Sequence, residues 1–431
     1  MTDPFAVSIL FGSFILLLIL RVPIAFSLVG SSLLTIVYID KPIILIVERM
    51  YASLSYYPLL AIPFFILCGY LMGGGGITDR LVQFANALLI SIRGGLAHVN
   101  VGTSMLFAGV SGSSTADTAA VGSILIPAME RDGYDRSFAV AITAASSTMG
   151  TIIPPSILMV VYGALAGVSI GDLFLAGVFP GLLVGLSQIA YSYFLARRRG
   201  YPAGVRPPLA ELARSAGGAA LPMGAPVIII GGIIGGFFTP TEAGVIAVAY
   251  VIVLQTVVYR TLRPQNLIRV LKEAMEVVGL PLFAIAAATL FGWLVAFLKV
   301  PELMVGLLSA FGSEPWLVLV AVSMLFLMVG MIIDGVPAMI IFLPIARAAA
   351  EAVGVPPLQL GIVIVMMASL GLITPPFGLC LLLSARIGKV AVLPAFREVM
   401  PFVLLFLAVV LLVVLVPEVA LWLPQQIGGQ Q

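Results

Sequence analysis

From Phe5 to Leu20, from Pro222 to Phe238, from Gly244 to Val258 and from Pro401 to Val416 the chain runs without a charged residue. Apolar stretches of this length are read as membrane spans, and they confine the chain to helices that satisfy their own backbone. Composition agrees. Charged residues make up 9% of the 431, against roughly 25% in a soluble domain, while 61% are hydrophobic and the mean hydropathy is +1.20. The expected fold class is an all-α polytopic membrane protein. The net charge of +2 says little about partners, and nothing resembles a nucleic-acid module. Cys68 and Cys380 both fall inside apolar runs, which suits buried inert thiols better than a disulfide framework. The N-terminus lacks a basic leader, and Arg21 stands where a cleavage site would follow, so Phe5–Leu20 is not a signal peptide.

Within this apolar background the stretch from Gly109 to Pro155 stands out. It holds two polar tips, Ser111-Gly112-Ser113-Ser114-Thr115 and Ser146-Ser147-Thr148-Met149-Gly150, and ends in Pro154-Pro155. The double proline removes two backbone donors and breaks a helix there. In a bilayer, broken backbone is tolerated only where protein or a water-filled cavity surrounds it. Freed carbonyls with nearby hydroxyls are hard oxygen ligands for a small cation. Paired interruptions of this kind point to a transport site.

The chain is also doubled. Leu60–Leu71 (LAIPFFILCGYL) matches Phe283–Leu294 (FAIAAATLFGWL), Ser104–Phe107 recurs as Ser323–Phe326, and Pro154-Pro155 recurs as Pro375-Pro376, in one order and at shifts of about 217 to 223 residues. Residues 1–200 and 215–431 are therefore expected to be two repeats joined by a connector at 201–214. In the first, a re-entrant hairpin over about 95–131 precedes a broken helix over about 137–164. In the second, Asp334-Gly335-Val336-Pro337 forms the tip of a hairpin over about 316–353, and Gly371 to Pro376 breaks a helix over about 357–385. Placing 130–136, 197–214, 260–272 and 386–397 in the cytoplasm with Arg21, Arg80 and Arg93 leaves only Lys41, Arg49, Lys299 and Arg347 outside. This positive-inside bias makes the first hairpin enter from the cytoplasm and the second from outside. The repeats are then inverted, a secondary-transporter plan, with both termini periplasmic. Amphipathic pieces at Ile77–Ile92 and Pro264–Val277 are expected to brace the hairpins along the interface.

The motifs SGSSTADTAAVGSILIPAMERDGYD, TIIPPSILMVVYGALAGVSIGDLFLAGVFPG, IRGGLAHVNV and FTPTEAGVIAVAY together resemble the large membrane subunit of tripartite ATP-independent periplasmic (TRAP) transporters, the DctM-like family. The resemblance covers essentially the whole chain. It implies a bacterial or archaeal inner-membrane permease that takes up an organic acid, of the sialic acid or C4-dicarboxylate kind, from a periplasmic binding protein. It also implies a sodium gradient as driving force, an elevator motion, and a smaller four-helix membrane subunit. No apolar helices precede Phe5, so that subunit is expected as a separate chain. Sodium ions are the coupling ions, and no other cofactor is expected.

On this basis Ser111, Ser113 and Gly150, with the backbone at Ile153 and Pro154, are assigned to a first sodium site. Small residues that merely let helices pack closely are the plainer explanation, but the double proline and the repeat favour the ion. Asp334, Gly335, Gly371 and Thr374 are assigned to a second site, since a carboxylate at membrane depth is functional by default. Asp334 as a simple helix cap is the competing explanation. Ser114, Thr115, Ser156 and the turn at Pro375 are expected to face the substrate, helped by helix N-termini that offer amides to a carboxylate. Neither tip carries an arginine. Asp117 is balanced between a cap and a functional group. Glu242 reads as structural, behind Thr239 or Thr241 as cap, and His98 as an interfacial structural residue.

Other functions fit less well. An intramembrane enzyme needs a nucleophile with a base or a metal cluster, and one histidine with two distant cysteines offers neither. A stand-alone ion-coupled anion carrier of related fold, working without a binding protein, remains the alternative, and a channel is separable from a carrier only by flux.

Overall fold

Proline, glycine and capping side chains decide where each helix of this chain starts and stops. The structure is a computed structural model that describes residues 3–55, 57–300 and 314–427. All regular structure among these residues is helical. Among the described residues, five helices are long and apolar enough to cross a membrane, or up to seven if each of two sharply bent pairs counts as one span. The outermost residues of both termini lie outside the described residues.

The second helix, Ile24–Tyr38, shows which solvent the fold is built for. It buries Ser27, Ser31, Ser32 and Thr35 and turns Phe26, Leu33, Leu34 and Val37 outward. A water-soluble helix does the reverse. The buried hydroxyls bond to backbone carbonyls of their own helix, Thr35 to Ser31 at 2.8 Å and Ser31 to Leu28 at 3.1 Å. Those two hydroxyls are satisfied within the helix, while Ser32 Oγ has no partner among the described residues, and leucine and phenylalanine face outward, the side that meets lipid.

Pro4–Ile19 and Ile24–Tyr38 pair with each other and lean on the long helix Pro264–Phe297. Phe11 and Phe14 meet the Phe291 ring at 5.5 Å, and Phe26 meets Phe283 at 5.1 Å. Ala61–Gly73 packs against Pro240–Val253. That helix starts at Pro240, earlier than the expected Gly244, because Thr239 and Glu242 form a reciprocal capping box just before it. Glu242 is thereby occupied as a structural residue.

Two expectations are revised here. Ile77–Leu89 is a separate amphipathic helix, bent by 69° from Ala61–Gly73 across the glycine run at Gly73–Gly76. The second arm is not separate: residues 264–277 form the first turns of one continuous 34-residue helix, Pro264–Phe297. Val277 and Val278 offer no side chain able to cap a new start, so the helix simply continues. The connector is also shorter than 201–214. Pro207 and Pro208 keep 201–208 extended, and a helix runs from Leu209 to Ala220 before a 54° bend into Gly224–Ile234.

Enclosed by these outer helices are the elements that the repeat predicts. The first hairpin is Gly95–Ser111 and Ser114–Arg131, and its partner broken span is Arg136–Ser147 followed by Ile157–Ala166. The second hairpin is Pro315–Gly330 and Gly335–Ala352, with the broken span Pro357–Gly371 and Leu379–Gly388. The peptide bonds Pro154-Pro155 and Pro375-Pro376 are both cis. Ile170–Arg199 and Val392–Leu415 close the bundle and are joined at one end by Arg199, whose Nη2 donates to both carboxylate oxygens of Glu398 at 2.8 and 2.9 Å.

Candidate functional site

The first tip is built by a glycine and a serine in sequence. Gly112 ends Gly95–Ser111 in the left-handed region, at φ 62°. Ser113 then takes extended backbone and caps the next helix by accepting from the Ala116 N–H at 3.5 Å. A Cβ at Gly112 would lie 2.8 Å from the Pro155 carbonyl oxygen, and the Ile157 N–H donates to the Gly112 carbonyl at 3.3 Å. The hairpin tip is therefore pressed onto the break of the adjoining span. A Cβ at Gly150 would meet the Ser113 carbonyl carbon at 2.9 Å. Ser111 Oγ accepts from the Ser113 N–H at 3.3 Å. The structure thus brings Ser111, Ser113 and Gly150 together as the sequence predicts. The Ile153 and Pro154 carbonyls beside them accept no backbone hydrogen bond among the described residues. Unpaired carbonyls and hydroxyls of this kind fit a small hard cation.

Two of the expected substrate residues are placed differently. Ser114 is buried and bonds the Thr151 hydroxyl at 3.1 Å and the Thr148 carbonyl at 3.4 Å. Ser156 is buried, donates to the Thr151 carbonyl at 2.5 Å and caps Ile157–Ala166 by accepting from Met159 N–H at 3.3 Å. Both hydroxyls hold the break together. Thr115 and Pro375 are partly exposed and remain at the accessible edge of the tips.

The second tip differs in kind. Asp334 occupies the N-cap of Gly335–Ala352, yet its carboxylate makes no capping bond; the Gly335 amide lies beside it. The residue is exposed on the surface of the chain. The missing capping bond counts against the simple cap. Gly371 lies against the backbone of Gly330, and Gly335 against Leu158 and Ala368. Thr374 Oγ1 donates to the Leu370 carbonyl at 2.8 Å, which leaves its lone pairs unused. The Phe377 N–H donates to the Met331 carbonyl at 3.2 Å, tying the second break to the second tip.

Residues that sequence reasoning passed over sit where the two halves touch. The hydroxyls of Thr151 and Ser369 bond each other directly across the two broken spans. Thr151 stands three residues before the first double proline and Ser369 six before the second, and these unequal offsets gave no reason to pair them. His98 is fully buried at the start of its helix, with Nε2 3.0 Å from the Arg93 carbonyl. Asp117 does not cap its helix, since Ser113 does.

Taken together, Ser114–Arg131, Ile157–Ala166, Gly335–Ala352 and Leu379–Gly388 begin at the tips and breaks, while Gly95–Ser111, Pro315–Gly330 and Pro357–Gly371 end there. The region therefore gathers positive helix N-termini and negative helix C-termini around one centre. Amide dipoles suit an anion, and free carbonyls suit a cation.

Residues 11–419 match the family described as "Tripartite ATP-independent periplasmic transporter, DctM component". The chain is 36% identical over 414 residues to the sialic acid TRAP transporter large permease protein of Vibrio cholerae serotype O1, covering 96% of this chain and 97% of the relative. It is 39% identical over 380 residues to the C4-dicarboxylate TRAP transporter large permease protein of Pseudomonas aeruginosa, covering 88% and 89%. Among solved structures it shares the fold of the YdaH transporter of Alcanivorax borkumensis, with a TM-score of 0.62 at 15% identity over 90% of this chain and 88% of that one.

Proposed function

Since the chain belongs to the DctM component family of tripartite ATP-independent periplasmic transporters, we propose that it is a sodium-coupled permease that takes up an organic carboxylate by an elevator motion. Membership makes it a transporter subunit and not an enzyme. The proposed partners are a small four-helix membrane subunit and a periplasmic binding protein that delivers the acid. Repeats at 1–200 and 215–431, of opposite orientation with both termini periplasmic, complete the proposal.

The observation that carries it is the pairing of unbonded carbonyls at Ile153 and Pro154 with helix N-termini at the same centre. Sodium at the carbonyls and hydroxyls would supply the positive charge that neither tip provides by side chain, and the amides would complete recognition of the carboxylate. Sodium binding and acid binding then support each other, as coupling requires. The decisive measurement is uptake into proteoliposomes holding this chain, its small subunit and its binding protein, with a panel of carboxylates. Uptake is expected to need an inward sodium gradient. Equal uptake in sodium-free, proton-buffered vesicles would remove sodium from the scheme.

The elevator rests on uneven packing. Each tip is closed on its own break, whereas a cavity of about 330 Å³ opens beside the contact between Pro264–Phe297 and Gly335–Ala352, lined by Thr289, Trp293, Ile340 and Arg347. Another of about 350 Å³ lies between the end of Ile157–Ala166 and the turn at Ile233–Pro240. Loose boundaries around a tight centre suit a block that slides against its frame. A side chain at Gly292 would lie 3.4 Å from the Pro344 ring. The pair Gly292→Cys with Pro344→Cys, bridged by mercury, is therefore expected to trap one state and stop transport. Equal bridging with and without substrate and sodium, with transport intact, would count against the sliding block.

A further inference from the structure

Thr151 and Ser369 join the two broken spans, and neither has a part in the scheme above. Thr151 ends the short 3-10 turn Thr148–Thr151, and Ser369 lies near the end of Pro357–Gly371. Both are buried, and their hydroxyls bond each other. The halves of the chain are also fastened away from the tips. Tyr162 Oη donates to the Pro357 carbonyl at 2.6 Å and Arg347 Nη1 to the Ala166 carbonyl at 2.7 Å, near the start of Ile170–Arg199. Arg199, at the end of that helix, holds Glu398. Among the described residues, Thr151 and Ser369 make the side-chain bond between the halves at the level of the tips.

Each hydroxyl has one proton, and the distances fix where it goes. Ser369 Oγ donates to the Val365 carbonyl of its own helix at 2.7 Å. It therefore meets Thr151 as an acceptor, and Thr151 Oγ1 is the donor between them. Thr151 then has no proton left for the Thr148 carbonyl, 3.2 Å away, or for Ser114. Ser114 Oγ is the donor to Thr151 Oγ1 at 3.1 Å, in preference to its longer contact with the Thr148 carbonyl at 3.4 Å. The bonds run one way, from Ser114 in the first tip, through Thr151 at the first break, to Ser369 ahead of the second. The Thr151 carbonyl also accepts from Ser156 Oγ at 2.5 Å, so the same residue holds the far side of the first break. Beyond Ser369 the turn is tightly bonded: the Leu372 N–H donates to the Ser369 carbonyl and the Thr374 N–H to the Gly371 carbonyl, both at 3.1 Å.

We propose that Thr151 and Ser369 are positioning residues that couple the first ion site to the second. The proposal rests on the sodium-coupled reading above. Closing the first tip around an ion sets Ser114, and the directed bonds pass that position to the turn carrying Gly371 and Thr374. Filling either site then raises the affinity of the other. Apolar contact at this place would tolerate a slip, whereas a buried hydroxyl that loses its partner is costly. The test is sodium titration of the purified chain with its small subunit, read as the rise in melting temperature, and of initial uptake in proteoliposomes. In wild type the uptake curve is expected to be sigmoidal, with a Hill slope approaching about 2. Thr151→Val keeps the shape and loses the hydroxyl. In it and in Ser369→Ala the slope is expected to fall to about 1, and the sodium midpoint of both curves to rise about fivefold or more. Thr151→Ser keeps the hydroxyl and is expected to restore the slope. Without sodium, the double variant Thr151→Val with Ser369→Ala is expected to lose less melting temperature than the two single losses combined, because both break one bond. A slope of about 1 in wild type, a wild-type slope in Thr151→Val or Ser369→Ala, a Thr151→Ser variant as impaired as Thr151→Val, or additive melting losses would each overturn the coupling. Should Thr151→Val not fold, Ser369→Ala compared with Thr151→Ser decides the matter. Wild-type melting and uptake that ignore sodium would overturn the sodium-coupled reading itself, and the coupling with it.

Discussion

Gly371→Ala is expected to abolish uptake and to lower the melting temperature of the purified protein. The methyl group would land on the backbone carbonyl carbon, oxygen and Cα of Gly330. Those atoms belong to the second hairpin where it meets its broken span, so no side chain can swing aside. The two helices would have to separate. Overpacking of a tight core typically costs about 1–3 kcal/mol, and here the shift falls on the segment that carries Thr374 and Pro375. A matched control is Gly231→Ala, where an added Cβ meets nothing within 4 Å; alanine's better helix propensity makes that change neutral or mildly stabilising. Melting curves and proteoliposome uptake compare the pair. Uptake and melting in Gly371→Ala equal to wild type would show that the two backbones have slack, and the close crossing would lose its role.

Asp334→Asn is the other large effect. Asparagine keeps the size and one acceptor oxygen while removing the charge. Because the side chain is exposed and caps nothing, the substitution leaves neither a cavity nor an orphaned amide, and assembly and melting should hold. Ion binding should not. An interaction with a charged partner is worth about 1.5–3 kcal/mol, so the apparent sodium affinity is expected to fall by about tenfold to a hundredfold, with uptake falling alongside. Asp334→Ala, which keeps no oxygen, should be worse. The measurement is the sodium dependence of initial uptake rates for wild type and both variants. Wild-type sodium dependence in Asp334→Asn would exclude the carboxylate from ion binding and leave Gly371 and Thr374 to hold the second ion without it.

Much of this was legible in residue order. The hairpin and broken-span boundaries follow from features that admit few alternatives: Gly112 before Ser113 permits a two-residue turn, and consecutive prolines cannot continue a helix. Ser111, Ser113 and Gly150 meet for the same reason, since the tip and the break are both polar and must face each other. What stayed hidden is direction. Ser114 and Ser156 carry the right chemistry for a carboxylate, yet their hydroxyls point into the break, and no periodicity fixes a rotamer at a tip. The Thr151–Ser369 contact joins residues far apart in the chain, which only the packing of two halves reveals. The second bracing arm was misplaced because an amphipathic stretch followed by an apolar one looks like two helices unless something between them ends the first, and here nothing does.

The length of Pro264–Phe297 bears on the membrane itself. At 1.5 Å per residue its 34 residues reach about 50 Å, well beyond a hydrocarbon layer of about 30 Å. Its charged residues, Arg269, Lys272, Glu273 and Glu276, all lie toward its start, and the remainder from 277 to 297 carries no charge. Ile157–Ala166 and Leu379–Gly388, with 10 residues each, reach only about 15 Å. Each of these is the second half of a broken span and needs the helix before the break, Arg136–Ser147 or Pro357–Gly371, to match that thickness. A bilayer that departs from the length of a helix costs a fraction of a kcal/mol per ångström of hydrophobic mismatch. Acyl-chain length is thus a load on Pro264–Phe297, whereas the broken spans, with most of their side chains buried against other helices, are shielded from it.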